Sequence, residues 1–327
     1  MLRRVALWGP LVIAALLLGG YIYLHQPFAR DGTELLPVPL SPDDPALEQV
    51  GNLAYRGGLD IPRMGQNIGG LSGLRWDADS TRLLAITDDA RWVWITPEET
   101  DGRLTGIVGI ETGPLVGLAG EVLSGKAAGD SEALVREAGG PWAVAFERDH
   151  RIWVYDRGFS EPPAETDDNP VDYLGELEDN SGVEAFATGA QGQLVCAERV
   201  ATPEAANCVF FSFEADAYTQ FPVAPSQALI DLGAVPTDAD TTAAGEFLVL
   251  FRSYSPSDGN GAGVVAYQPD GSRREIATLR PPLTVDNFEG LAVREEEGAT
   301  FLYIVSDDNF SGSQRTLLMK FEILDGE

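Results

Sequence analysis

The chain has 327 residues and carries 51 acidic against 22 basic side chains, a formal net charge of -29. So negative a surface repels phosphate backbones, which argues against nucleic acid as a partner and leaves plain solubility or attraction of hard divalent cations as its use. Glycine (36) and proline (21) are frequent and only two histidines occur, His25 and His150, so long helices, His-rich zinc sites and a Ser-His-Asp triad are all disfavoured.

In chain order, Arg3 and Arg4 precede an uncharged, mostly apolar run from Val5 to about Leu24. A run of about 20 residues can cross a bilayer, whereas the apolar part of a secretory signal usually spans about 7–15. No clear Ala-x-Ala cleavage site follows. Residues 1–25 are therefore expected to be an uncleaved transmembrane helix, a signal anchor with its positive end in the cytoplasm; the alternative is a signal removed after export. Either way the rest of the chain lies outside the cytoplasm. Residues 26–49, rich in Pro and Asp without apolar periodicity, read as a tether, and residues 50–327 as one domain.

Beyond an isolated strand from Leu53 to Ile61 comes a repeat. Its units open with Ser72-Gly73-Leu74, Glu132-Ala133-Leu134, Glu184-Ala185-Phe186, a degenerate Asp238-Ala239-Asp240, and Glu289-Gly290-Leu291, at spacings of 60, 52, 54 and 51 residues. Such a period suits the four-stranded blades of a β-propeller with long loops. In each unit the second strand is apolar on both faces (Leu83 to Ile86, Trp142 to Phe146, Leu194 to Ala197, Phe247 to Phe251, Phe301 to Val305), as sheets covered on both sides by neighbours require. The last unit ends after three strands, so the Leu53–Ile61 strand is expected to supply its fourth and close the ring. The fold class is all-β, a propeller of five blades, or six if the Gly113 to Asp130 connection hides degenerate strands.

Cys196 and Cys208 fall on consecutive predicted strands that a hairpin would bring within bridging distance; a disulfide and two buried thiols are the alternatives. The run from Gly120 to Ala127 resembles a phosphate-binding loop, but Ala127 replaces the required hydroxyl, and the match is read as chance.

Antiparallel pairing sets the start of each first strand beside the end of the second. Glu289 should meet Asp307-Asp308-Asn309, Ser72 should meet Asp88-Asp89, Glu132 should meet Glu147-Arg148, Glu184 should meet Glu198-Arg199, and Asp238 and Asp240 should meet Arg252. The expected result is a ring of carboxylates at one mouth of the channel with arginines outside it. Crowded carboxylates must take up protons or hold a cation, and oxygen-only donors suit Ca2+ better than zinc. The bland alternative is that these are ordinary turn residues and strand-capping glutamates.

The segments Gly69-Gly70-Leu71-Ser72-Gly73-Leu74 with Thr87-Asp88-Asp89, Asp130-Ser131-Glu132-Ala133-Leu134, and Asn287-Phe288-Glu289-Gly290-Leu291-Ala292 with Ser306-Asp307-Asp308-Asn309 resemble the phytase-like family called "esterase-like activity of phytase". The resemblance covers about residues 50 to 325 and is strongest at the two ends. It implies an exported bacterial propeller with a hydrolase label for phosphoesters or carboxyl esters. The leading expectation is a membrane-anchored periplasmic hydrolase acting on a small anionic or ester substrate. Its metal ligands would be Glu132, Glu184, Glu289 and Asp307, its general base Asp88 or Asp308, and its anion clamp Arg199 or Arg252. The rivals are a non-catalytic ligand- or protein-binding propeller of the envelope and a lactonase-like propeller enzyme.

Overall fold

A computed structural model of the protein describes residues 35–324 except 63–67, 137–138, 157, 167–168 and 204–205. The expected anchor at residues 1–25 lies outside the described residues, and among those described no helix is long and apolar enough to cross a membrane. Of the stretch expected as a tether, residues 35–49 are described. They lie against the propeller: β1 (Leu36–Pro37) and β2 (Gln49–Val50) both pair with β3 (Leu53–Ile61), and Leu40 is fully buried.

Five blades follow the repeat. The first is β4 (Leu71–Asp77), β5 (Arg82–Thr87), β6 (Arg91–Thr100) and β7 (Arg103–Pro114); the second is β8 (Ser131–Arg136), β9 (Trp142–Phe146), β10 (Arg151–Tyr155) and β11 (Ala164–Glu165). The third is β12 (Val183–Gly189), β13 (Gly192–Ala197), β14 (Cys208–Ser212) and β15 (Ala217–Gln220). The fourth is β16 (Val235–Thr241), β17 (Phe247–Ser255), β18 (Gly259–Tyr267) and β19 (Arg273–Leu279). The fifth takes β20 (Phe288–Glu296), β21 (Ala299–Ser306) and β22 (Thr316–Ile323), and β3 joins β22 antiparallel as its outer strand. The ring therefore closes by the Leu53–Ile61 strand, as expected. The connection from Gly113 to Asp130 adds no blade; it holds a Val116–Val122 bridge and one short helix, α1 (Lys126–Gly129).

Why the second strands are apolar throughout becomes plain in the packing. Successive side chains of a strand point to opposite faces. On β17, Leu248 and Leu250 pack toward the fifth blade while Phe247, Val249 and Phe251 pack toward the third. On β5, Leu83 and Ala85 face the fifth blade and Leu84 and Ile86 the second. On β13, Val195 and Ala197 face the second blade and Leu194 and Cys196 the fourth. The core is accordingly a set of apolar layers, one at each blade interface, and every middle strand feeds two of them. Cys196 and Cys208 sit directly opposite in register and are joined by a disulfide.

The inner strands β4, β8, β12, β16 and β20 surround the channel, and a buried ion pair crosses it. Arg75 Nη1 donates to Asp238 Oδ1 at 2.9 Å and to the Leu291 carbonyl at 3.0 Å, and Nη2 reaches the carbonyls of Phe186 and Ala239. Asp238 Oδ2 also accepts the amides of Leu74 (2.9 Å) and Leu291 (2.7 Å). Four of the five blades are tied through these two side chains. This corrects the expectation that Asp238 and Asp240 meet Arg252 at the mouth. β16 carries a bulge between Pro236 and Asp238, so Val235 faces Arg252 and Asp238 is carried inward along the channel. Asp240, deeper still, accepts the Val293 amide at 2.8 Å.

A guanidinium cannot shed its charge, so removing its partner leaves an uncompensated buried cation. Asp238→Asn should cost about 3–5 kcal/mol in urea unfolding, and the double variant Arg75→Met/Asp238→Leu should recover much of it. An unfolding midpoint for Asp238→Asn equal to wild type would show that the pair does not hold the axis.

Candidate functional site

Each inner strand carries one bulge at an equivalent point near its start. The residues skipped in the pairing are Gly73, Glu132, Glu184, Thr237 and Glu289. A bulge re-aims the side chain it carries, and in three blades that side chain is a glutamate. In the first blade it must be glycine: φ at Gly73 is +44°, and an added Cβ would sit 2.9 Å from Leu134 Cδ2 of the neighbouring blade. In the fourth it is Thr237, whose hydroxyl donates to the Phe288 carbonyl of the next blade.

The ends of the second strands, with Asp130 just before β8, supply the rest. One oxygen from each of Asp130, Glu132 and Glu147 lies within 4.8 Å of the others, and so does one from each of Glu147, Glu184 and Glu198. Glu147 is common to both groups and is fixed there by the Gly182 amide, which donates to its Oε1 at 2.7 Å. Arg252 closes the far side, bonded to Glu198 Oε1 at 2.6 Å and 3.0 Å from Glu289 Oε1. Arg148 Nε holds Asp130 Oδ2 at 2.7 Å, and Lys126 at the lip lies 3.3 Å from Asp88 and 3.4 Å from Asp130.

The expected site residues are thus divided. Glu132 and Glu184 enter the two three-carboxylate groups. Glu289 and Asp307 are buried beyond Arg252, where Asp307 Oδ1 caps the turn by accepting the Asn309 amide at 2.6 Å. Asp88 faces Lys126. Asp308 Oδ1 accepts the amides of Gly70 (3.3 Å) and Phe310 (3.0 Å). Arg252 lies inside the cluster and already bridges two glutamates. Arg199 is turned away from it, donating to the carbonyls of Leu174 (2.5 Å), Ala206 (2.6 Å) and Glu176 (3.2 Å). Sequence reasoning placed Glu147 and Glu198 on the rim without choosing them as ligands and did not choose Asp130. The available signal was the position of Glu147 and Glu198 just past the second strands, opposite the bulged glutamates.

Burial dominates the protonation of the cluster. It raises Glu132 and Glu184 well above the ordinary carboxylate range, and the neighbouring charges, Glu147 and Asp130 on Glu132 and Glu132 and Glu198 on Glu184, push the same way. Burial likewise lifts Glu289 to about 8 against the pull of Arg252, and Asp307 to about 7. Glu147, Glu198 and Asp88 are raised for the same first cause. Asp88 Oδ1, Asp130 Oδ1 and Glu289 Oε2 are buried yet accept no hydrogen bond. Oxygen-only donors, left short of partners and of counter-charge, fit a hard cation such as Ca2+ and give no reason for zinc.

Fold and site together define a five-bladed propeller with a carboxylate-lined mouth. The chain belongs to the Phytase-like family, "Esterase-like activity of phytase", whose sequence model matches residues 66–310. Comparison with curated proteins finds no match. Among solved structures it is similar to a luciferin-regenerating enzyme (11% identity, 89% of this chain and 96% of that one, TM-score 0.41) and to virginiamycin B lyase from Staphylococcus aureus (8%, 89% and 99%, 0.41). It is also similar to a protein provisionally described as a gluconolactonase (13%, 90% and 95%, 0.44). At these identities and scores the likeness carries no argument about function.

A carboxyl with a raised folded pKa binds its proton more tightly in the native state than in the unfolded chain. Its stabilising effect is therefore present at low pH and is lost as pH rises from the unfolded value, about 4.3 for glutamate, through the folded value. In chelator the melting temperature should fall between about pH 5 and the pH of about 8 that Glu289 reaches. Calcium should restore it at the upper end and do little at the lower. A melting temperature independent of pH in chelator would contradict the crowding.

Proposed function

We propose that the protein is a metal-dependent ester or phosphoester hydrolase of the cell envelope, with its reaction centre at the acidic mouth. The supporting observation is the pair of three-carboxylate groups that share Glu147, which is a donor set for a hard divalent cation, Ca2+ by its all-oxygen chemistry. The family's description as esterase-like agrees with this reading. A cation bound there supplies polarisation of an ester or phosphoryl oxygen and a lowered pKa for a bound water.

The chain's own groups do the remainder. Glu147, held by the Gly182 amide, fixes the geometry of both groups. Asp88, raised by burial, carries an oxygen without a hydrogen-bond partner and suits the acceptance of a proton from the attacking water. Asp308, already accepting two backbone amides, serves to shape the turn. Lys126, at the lip with much of its side chain in solvent, is the cation placed to meet an anionic substrate; Arg252 neutralises Glu198 and Glu289 and so keeps the cluster from over-charging. The engagement of Arg252 favours one second reading, a mouth that binds a ligand without turning it over.

The apolar run from Val5 to about Leu24 would hold the domain at the outer face of the inner membrane, in the periplasm. The Cys196–Cys208 disulfide supports an oxidising compartment.

Purified full-length protein with calcium should hydrolyse one of p-nitrophenyl phosphate, bis-p-nitrophenyl phosphate or p-nitrophenyl acetate and lose the activity in chelator. Asp88→Asn should lower kcat by about 10²–10⁴-fold with little change in melting temperature. Glu147→Gln should abolish both calcium binding and turnover. Calcium binding without any turnover would leave the non-catalytic reading, and turnover of γ-lactones alone would select the lactonase-like one.

A further inference from the structure

The opposite mouth has a different chemistry. There the C-terminal ends of the inner strands diverge around a cavity of about 840 Å³, lined in part by Trp76, Phe213, Thr188, Thr241, Asp79 and Arg136. That volume falls within the range of small-molecule sites, about 300–1,000 Å³, which combine apolar and aromatic walls with a few polar groups. The cavity stands at the end of the channel away from the carboxylate cluster, with the Arg75–Asp238 pair between the two.

Charge restricts what can enter. Arg136, the one cation among the described lining residues, is spent on Asp77 and on Asp79, the latter at 3.1 Å. Asp77, Asp79 and Glu295 make the lining net negative, which turns away phosphates and carboxylates. Glu295 is itself committed, Oε1 to the Ala243 amide and Oε2 to the Thr300 hydroxyl, both at 2.9 Å. The remaining polar lining is threonine: Thr188, Thr241 and Thr242. The occupant that suits this lining carries no negative charge, presents an apolar face to Trp76 and Phe213, and brings hydrogen-bonding groups for the polar wall.

The lip continues outward. Phe213, 43% exposed, contacts Phe211 (ring centroids 6.0 Å apart), Phe211 contacts Tyr218 (4.7 Å), and Tyr218 stacks on Tyr173 (4.0 Å), itself 42% exposed. This row of touching rings runs from the cavity to the outer strand of the third blade. Sugar rings present C–H faces that lie on aromatic rings and hydroxyls that pair with threonine and carboxylate groups. A row of rings leading from a pocket suits several such units in sequence.

We propose that this second mouth binds a neutral oligosaccharide, its end in the cavity against Trp76 and Thr241 and its following units over Phe213 and the adjoining rings. The site is independent of the carboxylate mouth and of the hydrolase reading.

The test is calorimetric titration of the full-length protein with cellotetraose, maltotetraose and N-acetylchitotetraose, with spermidine as a cationic and tripolyphosphate as an anionic probe. One neutral tetrasaccharide should bind at millimolar concentration. Ala243→Tyr and Ala190→Phe, which fill the cavity from exposed wall positions, should each remove that binding while leaving calcium binding intact. Phe213→Ala should weaken the tetrasaccharide more than the corresponding disaccharide, and Glu147→Gln should leave sugar binding unchanged. Absence of binding by all three sugars, binding of spermidine in their place, or sugar binding that survives both filling variants would overturn the proposal.

Discussion

Five blades meeting around an axis leave a hole that their own backbones cannot fill, and here one ion pair fills it. Arg75 belongs to the first blade, Asp238 to the fourth, and between them they engage carbonyls or amides of the first, third, fourth and fifth. Burial raises the Asp238 pKa, and the guanidinium with the Leu74 and Leu291 amides opposes it. Taking both charges out of water is costly and is offset only because nearly every donor and acceptor is matched. The pair also sets the relative height of the strands it joins. A shift of one residue in β4 or β20 would move an amide away from Asp238 Oδ2, and one in β12 would move a carbonyl away from Arg75.

That fixed height is what makes the carboxylate mouth a ring. Every inner strand bulges at the same level, so the bulged side chains of three blades meet instead of being staggered along the channel. Once there, Glu132, Glu184 and Glu289 cannot all be ionised without a counter-charge. Arg252 supplies it on one side, through Glu198 and Glu289. Arg148 and Lys126 supply it on the other, through Asp130 and Asp88. Glu147 and Glu184 lie between, out of contact with any of these cations at ion-pair distance among the described residues. Protons or a metal ion are the remaining ways to neutralise them, so a cation bound there would compete with protons for the same groups.

Much of the fold was legible because propeller packing writes itself into local pattern. A strand covered on both sides has no polar face, which singled out the stretches around Leu83, Leu194, Phe247 and Phe301. The missing fourth strand of the last unit pointed to Leu53–Ile61, while the adjacent strands of Cys196 and Cys208 left a disulfide and two buried thiols open, of which the structure has the disulfide. What was not legible depends on a single inserted residue. In the fourth unit the acidic Asp238 was aligned with the glutamates of the others, but the bulge falls on Thr237, one place earlier, and Asp238 turns into the axis. Arg75 gave no signal, since an arginine in a strand ordinarily faces water and its partner lies across the ring. Arg199, two residues past β13, and Arg252, in the second half of β17, look comparable in sequence. The first is taken up by carbonyls of its own blade's loops, and the second by glutamates of the neighbouring blades, a difference no spacing records.

Both mouths are made by the same five strands, yet their linings differ for a reason that lies in strand geometry. At the starting ends the bulges turn glutamates inward until charge, not space, limits what fits. At the finishing ends the strands separate by their twist, and the residues there are small or hydroxylic, such as Thr188, Gly189, Thr241 and Ala243. The one aromatic side chain from an inner strand at that end, Trp76, is braced rather than free: it stacks on Tyr303 with rings 4° from parallel, and Arg294 lies over it. Arg294 is tied in turn to Glu99, as is the fully buried Lys320. A wall stiffened in this way costs little further ordering when a ligand arrives. Arg75 and Asp238 fill the axis between the two mouths and so keep the carboxylate cluster apart from the cavity at the other end.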